Sequence, residues 1–283
     1  MSQPSTPATD DTFHWGGDVV DTSAWDLPGL KAKFLTDHAP RSGRVVEIGC
    51  GAGKMLRTLA VHRPELRLSG CDLRAPEPAP TDFEFRAVNA QSAALPYESA
   101  SFEAVAVMDV LEHVPTPADT LDEVRRILVP GGLLVAFVPI EGEALGAHRL
   151  YRSFLGQDLY VRTKEHVQAF SHEALDSLVS ARFEVERREY VYHALGQTMD
   201  ATLFALTSIP AIGRLFWQDN RYYNAEPKKP SLVSRVFNGA LTTANAVAYL
   251  ESRLLASKRF LAHSTMPSDR TKLSATSNQR ASK

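Results

Sequence analysis

An acid and three alternating glycines end an apolar run in the segment VVEIGCGAGKML, residues 45–56. Glycine-rich turns of this kind let a backbone approach a ligand closely, since glycine has no Cβ and accepts positive φ angles. A nucleotide P-loop would need a glycine at position 48 and a Ser or Thr at position 55. Ile48 and Met55 occupy these positions, so a P-loop is excluded.

The dinucleotide fingerprint Gly-x-Gly-x-x-Gly also matches poorly. Gly49 and Gly51 fit its first two positions, but the third glycine comes one residue early, at Gly53, and Lys54 stands in its place. Glu47, near the end of the predicted strand, is not part of that fingerprint. A nicotinamide-dependent oxidoreductase is therefore a minor alternative, and the pattern that remains is Glu-x-Gly-x-Gly-x-Gly.

Polar residues also end two later strands. Asp72 stands at the end of the predicted strand RLSGCDL, about 20 residues beyond the turn, where an acid can accept hydrogen bonds from the hydroxyls of a ribose. Asp109, Glu112 and His113 are spaced i, i+3 and i+4, so they would share one side of a helix. His113 could then be a general base for a hydroxyl, or the three could bind a divalent cation. The favoured interpretation is that Glu112 and His113 stabilise the loop, and we predict no metal site.

Strands alternate with helices along the chain, which predicts an α/β fold with a doubly wound, mostly parallel sheet. Such sheets bind ligands where their strands end at the carboxyl edge. The predicted strands are 44–50, 67–73, 83–88, 102–110, 133–139 and one or two within 182–193, and the predicted helices include 54–62, 117–128 and 171–181.

Four segments together resemble class I S-adenosylmethionine-dependent methyltransferases. The glycine segment resembles their first motif, and three later segments resemble the type 11 superfamily, which includes ubiquinone and menaquinone biosynthesis enzymes. The resemblance covers about residues 42–190. The later segments are AALPYESASFEAVAVMDVLEHV (93–114), LDEVRRILVPGGLLVAFVP (121–139) and KEHVQAFSHEALDSLV with the following FEVE (164–186).

The resemblance implies a seven-stranded Rossmann-like sheet and S-adenosylmethionine as cofactor. It places the methionine end of the donor beside the glycine turn, the ribose on Asp72 and the adenine against Leu73. The family usually has an Asp that bonds the adenine amino group, and either Asn89 or Gln91 would take its place here. The implied cofactor-binding residues are Glu47, Gly49, Gly51, Gly53, Asp72, Leu73, Asn89, Gln91 and Met108, and the candidate catalytic residues are His113 and Asp109.

The chain divides by composition into a central domain with extensions. We expect disordered tails at 1–11 and 263–283, a methyltransferase domain at 12–193 with a substrate lid at 140–166, and a helical C-terminal extension at 194–262. Residues 221–283 hold eleven basic and three acidic residues, a net charge of +8 in a chain of net charge −2. The extension would either cap the domain or form an apolar, basic-rimmed surface for a lipid-type acceptor or a membrane.

These features predict a cytoplasmic methyltransferase acting on a small-molecule or lipid-type acceptor, with oxygen the favoured methylated atom. The chain shows no secretory signal and no apolar membrane span, and Cys50 and Cys71 are too few for a disulfide framework. A catalytically inactive member that binds the donor or a partner is the second alternative. Peripheral membrane contact through the basic C-terminal helices and a homodimer are further predicted interactions. Nucleic acid is not an expected partner.

Overall fold

In the computed structural model, the residues described are 19–89, 94–143, 153, 166–207, 232–255 and 264–271. The helices among them are α1 (Leu27–His38), α2 (Lys54–His62), α3 (Pro117–Ile127), α4 (His172–Ser180), α5 (Ala194–Thr207) and α6 (Leu232–Leu255). The strands are β1 (Gly43–Ile48), β2 (Leu66–Asp72), β3 (Glu84–Ala87), β4 (Phe102–Met108), β5 (Leu128–Pro139), β6 (Phe183–Val191) and β7 (Ser264–Thr271).

The strands form one sheet in the order β3-β2-β1-β4-β5-β7-β6. The pairs from β3 to β5 are all parallel, whereas β7 runs antiparallel to both of its neighbours. The chain moves outward from β1 to β3 and then returns to β4 on the other side of β1. The sheet therefore has its topological switch point between β1 and β4, and the predicted doubly wound, mostly parallel sheet is confirmed.

Strand β4 is buried on both faces, as its almost wholly apolar sequence predicts. Val105 and Val107 pack into the cluster that includes α3 and α4 residues, whereas Ala104, Ala106 and Met108 pack into the cluster that includes α1 and α2 residues. Full burial of one valine or leucine side chain stabilises a fold by about 1.5–3 kcal/mol. The two clusters hold the central strands rigidly, so the residues that follow those strands have a fixed platform.

Strand β7 corrects the prediction of a disordered tail from residue 263. The segment STMPSDRT is polar and contains a proline, so neither strand propensity nor alternation marks it. It nevertheless pairs with β5 on one side, for example Leu133 with Arg270, and with β6 on the other. Backbone pairing with two distant strands decides this element, and that pairing is invisible in the local sequence.

The helices α5 and α6 stand between β6 and β7 in the chain, so this region is an insertion into the sheet and not a C-terminal appendage. The Glu251 carboxylate of α6 accepts hydrogen bonds from the main-chain N–H of Leu195, at 2.9 Å, and of Gly196, at 3.0 Å. These bonds satisfy N–H groups at the start of α5, which have no partner within the helix itself. Among the described helices, none combines the length and the apolar character needed to cross a membrane.

Candidate active site

The glycine turn after β1 has three residues in the left-handed region, with φ angles of 71° at Gly49, 50° at Gly51 and 82° at Gly53. A Cβ on Gly49 would lie 2.5 Å from Val110, and one on Gly53 would lie 2.2 Å from Phe83. A Cβ on Gly51 would meet nothing within 4 Å. Gly49 and Gly53 therefore permit close packing beneath the turn, whereas Gly51 leaves its backbone open to a ligand.

Glu47 is buried near the end of β1, and its Oε2 atom has no hydrogen-bond partner in the described part of the chain. Burial raises the pKa of this carboxyl well above its ordinary value of 4.5, and the nearby charges of Asp72 and Asp109 raise it further. Asp72 and Asp109 therefore create a negative potential at this edge of the sheet, and Glu47 adds to it when it ionises. A cationic ligand would relieve that potential and satisfy the buried oxygen.

Asp72, the last residue of β2, is fixed by main-chain N–H groups. Its Oδ2 accepts a hydrogen bond from Gly51 at 2.8 Å, and its Oδ1 accepts one from Leu73 at 2.6 Å. Each carboxylate oxygen can accept a second hydrogen bond, so Asp72 can still bind a pair of hydroxyls. The two bonds also tie the end of β2 to the glycine turn.

The remaining predicted cofactor residues differ in their exposure, and one of them lies outside the described part of the chain. Leu73 follows Asp72 and its side chain is 58% exposed. Asn89 is exposed two residues after β3, and Met108 is buried at the end of β4. Gln91 lies outside the described residues, as does most of the predicted lid. The glycine turn, Asp72 and Met108 are all at the carboxyl edge of the sheet, so they can contact one ligand.

The sequence predicts that Asp109, Glu112 and His113 could share one face of a helix. The structure does not group them in this way. Residues 109–114 form a bend and a turn in place of a helix, and Asp109 itself has a positive φ of 52°. Its carboxylate forms an ion pair with Lys31 of α1. The Lys31 Nζ also lies over the Phe137 ring, 3.9 Å from its centroid. Asp109 is therefore held by α1, and no motif in the sequence marks Lys31 as its partner.

Glu112, His113 and His166 form a separate group, called here the Glu112 cluster. Their candidate ligand atoms all lie within 4.8 Å of one another. The His113 and His166 rings meet edge to face with centroids 4.8 Å apart. The His166 Nδ1 lies 2.9 Å from the Oε2 of Glu141, which is buried just beyond β5. Sequence reasoning identified neither His166 nor Glu141 as a site residue, although both lie in or beside the predicted lid.

Glu112 is 1% exposed, and neither of its carboxylate oxygens has a hydrogen-bond partner among the described residues. Burial, followed by the charge of Asp109, raises the pKa of Glu112 well above 4.5. The main-chain carbonyl of Glu112 accepts hydrogen bonds from Val167, at 2.9 Å, and Gln168, at 3.0 Å. These backbone bonds bring the segment that carries His166 next to Glu112 and His113.

Comparisons with known proteins agree with this architecture. A family model described as a methyltransferase domain matches residues 26–184. A ubiquinone biosynthesis O-methyltransferase of Xylella fastidiosa is 32% identical over 149 residues, which are 48% of this chain and 56% of that protein. The enzyme of the same name from Paracidovorax citrulli is 35% identical over 119 residues, which are 38% of this chain and 48% of that protein. The chain thus spans about half the length of the curated relatives it matches.

Solved structures share the fold at low sequence identity. The cyclase SpnF aligns over 92% of this chain and 86% of its own, with a TM-score of 0.53 and 18% identity. Geranyl diphosphate C-methyltransferase from Streptomyces coelicolor A3(2) aligns over 87% of this chain and 78% of its own, with a TM-score of 0.51 and 15% identity. Since a shared fold hosts different reactions, these likenesses concern the fold alone. The family match extends over more than half of the residues, and the chain therefore belongs to the methyltransferase domain family of class I S-adenosylmethionine-dependent methyltransferases.

Proposed function

We propose that this chain transfers a methyl group from S-adenosylmethionine to an oxygen atom of a small-molecule or lipid-type acceptor. The observation that carries the proposal is the joint placement of Glu47, Gly51 and Asp72 at the carboxyl edge of β1 and β2. An unpartnered buried carboxylate, an open glycine and a fixed acid suit a ligand with a cationic amino-acid end and a ribose. The names of the curated relatives support oxygen as the methylated atom.

In this proposal the donor lies across the ends of β1, β2 and β4. Glu47 attracts the cationic end of the donor, and the backbone of Gly51 lines its methionine portion. Asp72 accepts hydrogen bonds from the ribose hydroxyls. The exposed side chain of Leu73 packs against the adenine, and Asn89 is a hydrogen-bonding partner for its edge. Gly49, Gly53 and Met108 shape the walls, and Gln91 keeps its predicted role near the adenine.

The bound donor supplies an electrophilic methyl group on a sulfonium, and the protein has to present an oxygen lone pair in line with it. Alignment within the site supplies much of the rate enhancement in such a displacement. A hydroxyl acceptor also loses its proton, and His113 is the residue that we propose to act on it. Asp109 is held by Lys31, so its proposed role is to position α1 beside the acceptor.

A methyl-transfer assay tests the proposal directly. The full-length protein is incubated with isotopically methyl-labelled S-adenosylmethionine and a panel of phenols, alcohols and carboxylic acids, and the products are identified by mass spectrometry. The proposal predicts label on an acceptor oxygen, with turnover lowered in His113→Gln and retained in the exposed control His62→Gln. Donor binding without transfer to any acceptor would instead support the inactive, partner-binding alternative.

Membrane contact is a further part of the proposal and concerns α6. Val247, Leu250 and Leu254 are 44%, 60% and 81% exposed, and Arg253 lies beside them in the sequence. Apolar side chains beside basic ones favour an anionic lipid surface. Sedimentation with anionic vesicles at low salt is the test, and Leu250→Ser is expected to reduce the bound fraction.

A homodimer is a further part of the proposal, and light scattering in solution tests it.

A further inference from the structure

We propose that Lys31 of α1 binds the acceptor and selects one whose reacting oxygen is an anion, either a carboxylate or an ionised phenol. That this anion receives the methyl group rests on the proposed function, whereas its binding to Lys31 does not. Lys31 belongs to none of the sequence motifs, and its position beside the end of β4 becomes visible only in the folded chain.

Lys31 stands at the carboxyl edge of the sheet, next to the proposed donor site. Its ammonium group pairs with Asp109, the first residue after β4, and lies 3.9 Å from the centroid of the Phe137 ring on β5. The main-chain N–H of Asp109 donates a 3.2 Å hydrogen bond to the carbonyl of Phe137. Strand β4 borders the topological switch point, where sheets of this kind bind their ligands. A cation is therefore fixed where an acceptor would meet the proposed donor.

The stability of the fold does not account for this lysine. Its side chain is 11% exposed, and lysine is rarely buried to this extent unless it is paired. The carboxylate of its partner Asp109 is 42% exposed, so solvent weakens the attraction between the two charges. Replacing a buried ion pair by apolar side chains is often neutral or even stabilising. The burial of a charged group at this position therefore indicates a role in binding.

The backbone of Asp109 also indicates a functional site. Its φ angle is 52°, in the left-handed region that is uncommon for residues other than glycine. Residues held in such conformations cluster at active sites and ligand-binding loops. In this conformation the Asp109 carboxylate reaches Lys31. Asp109 thus holds the ammonium group in one position at the end of β4.

The ammonium group of Lys31 has the capacity to bind an anion. It carries three N–H donors. Its contacts in the described part of the chain are the Asp109 carboxylate and the face of the Phe137 ring. An anionic oxygen can accept a further N–H while Asp109 keeps its own. Because a hydrogen bond between charged groups is about twice as strong as one between neutral groups, an anion would be preferred over a neutral alcohol.

The groups around Lys31 show why an anion would depend on it. Burial raises the pKa of Glu112, the charge of Asp109 raises it further, and the charge of Lys31 opposes the rise. Lys31 therefore lies near both acids, and its charge offsets the repulsion between Asp109 and an entering anion. The Nε2 atom of His113 is 4.0 Å from the Glu112 carboxylate. Lys31 and His113 thus both lie beside Glu112, which permits them to contact one acceptor.

The proposed step joins an anion to a cation. The acceptor oxygen uses its electron pair to bond the methyl carbon, while the carbon–sulfur bond breaks and sulfur keeps that electron pair. A carboxylate enters already ionised. A phenol gives its proton to His113, which passes it to solvent because its side chain is 37% exposed. Lys31 stays protonated throughout. Since the oxygen loses its charge during transfer, Lys31 contributes to acceptor binding and not to the transfer step itself.

The binding of matched probes tests the inference without methyl transfer. The full-length protein is loaded with S-adenosylhomocysteine and titrated with aromatic carboxylates and nitrophenolates. Each probe is compared with its neutral counterpart, the carboxamide or the methyl ether, and ligand-observed NMR gives the affinities. The anionic probes should bind about tenfold more tightly than the neutral ones. Lys31→Met should remove this preference. Lys33→Met is the matched control, because Lys33 also lies on α1 and pairs with an acid, Asp37, but is 50% exposed.

Kinetics with an acceptor identified in the labelled-methyl assay then separates binding from transfer. Lys31→Met should raise the KM for that acceptor about tenfold and change kcat by less than about threefold, because it removes an interaction made before the transfer step. The affinity for S-adenosylmethionine should equal that of Lys33→Met. A merely structural role for Lys31 would instead leave the preference for anionic probes intact.

The inference is overturned if no anionic probe binds, if the neutral probes bind as tightly, or if Lys31→Met keeps the preference. Should Lys31→Met fail to fold by circular dichroism, Lys31→Gln decides, since it keeps a hydrogen-bond donor and lacks the charge. Methyl transfer with a KM that Lys31→Met leaves unchanged would overturn this inference alone. Lys31-dependent binding of the anionic probes, without methyl transfer to any acceptor, would support it and overturn only the proposed function.

Discussion

Asp72 at the end of β2 accepts a 2.8 Å hydrogen bond from the main-chain N–H of Gly51 in the turn after β1. This bond joins the two strand ends on which the proposed donor site is built. It fixes the carboxylate while leaving acceptor capacity for a ribose, and it orders the open glycine beside it. Changes at either residue should therefore affect ligand binding and the local fold together.

Asp72→Asn should weaken the binding of S-adenosylmethionine about 10- to 100-fold, because a hydrogen bond to a charged group contributes about 1.5–3 kcal/mol. The amide can still accept from one main-chain N–H, so we expect the variant to fold. Isothermal titration gives the affinity, and the exposed acid Glu65, changed to Gln, is the control. Equal affinities in the two variants would remove Asp72 from the site.

Alanine at Gly51 and at Gly53 should have different effects. Gly53→Ala places a Cβ 2.2 Å from the Phe83 ring. The variant should therefore lower the free energy of unfolding by more than the cost of holding an alanine in the left-handed region. Gly51→Ala meets no atom within 4 Å and should lose only the cost of a left-handed alanine, about 1–2 kcal/mol, while donor binding falls sharply. Urea unfolding and donor titration separate the two effects. Unimpaired donor binding by Gly51→Ala would contradict the predicted position of the ligand.

Glu47→Gln should change the pH dependence of stability. The pKa of Glu47 is raised in the folded protein, so the folded state holds a proton that the unfolded state releases above pH 4.5. Stability is therefore highest below that pH and falls as pH rises toward the folded-state pKa. Relative to wild type, the neutral glutamine variant should gain stability as the pH rises above about 4.5. A stability difference that does not change with pH would show that Glu47 does not titrate in this way.

The ion pair between Lys31 and Asp109 predicts an asymmetry. The Lys31 side chain is 11% exposed and that of Asp109 is 42% exposed. Asp109→Asn leaves a buried cation without its charged partner and should destabilise by about 1–3 kcal/mol. Lys31→Met keeps apolar cover over Phe137 and leaves only a half-exposed carboxylate, so its cost should be smaller. Urea denaturation of both variants checks the order, and the reverse order would contradict it.

Local sequence predicts the parallel part of this fold well, and particular residues show why. The apolar run of β4 and the glycines after β1 each determine their own structure, because burial on two faces and positive φ angles restrict the residue types. Polar β7 could not be predicted, since it depends on pairing with β5 and β6. The same holds for the pair Lys31 and Asp109, which are 78 residues apart, and for His166 and Glu141, which no short motif connects.

Titration calorimetry of the full-length protein with S-adenosylmethionine, its demethylated product and NAD⁺ tests the central claim most directly. The predicted result is one site per chain with micromolar or tighter affinity for the first two ligands, loss of that affinity in Asp72→Asn, and no binding of NAD⁺. Absence of binding by both methyl-donor ligands, or affinity unchanged by Asp72→Asn, would contradict the claim that the edge of β1 and β2 is the donor site.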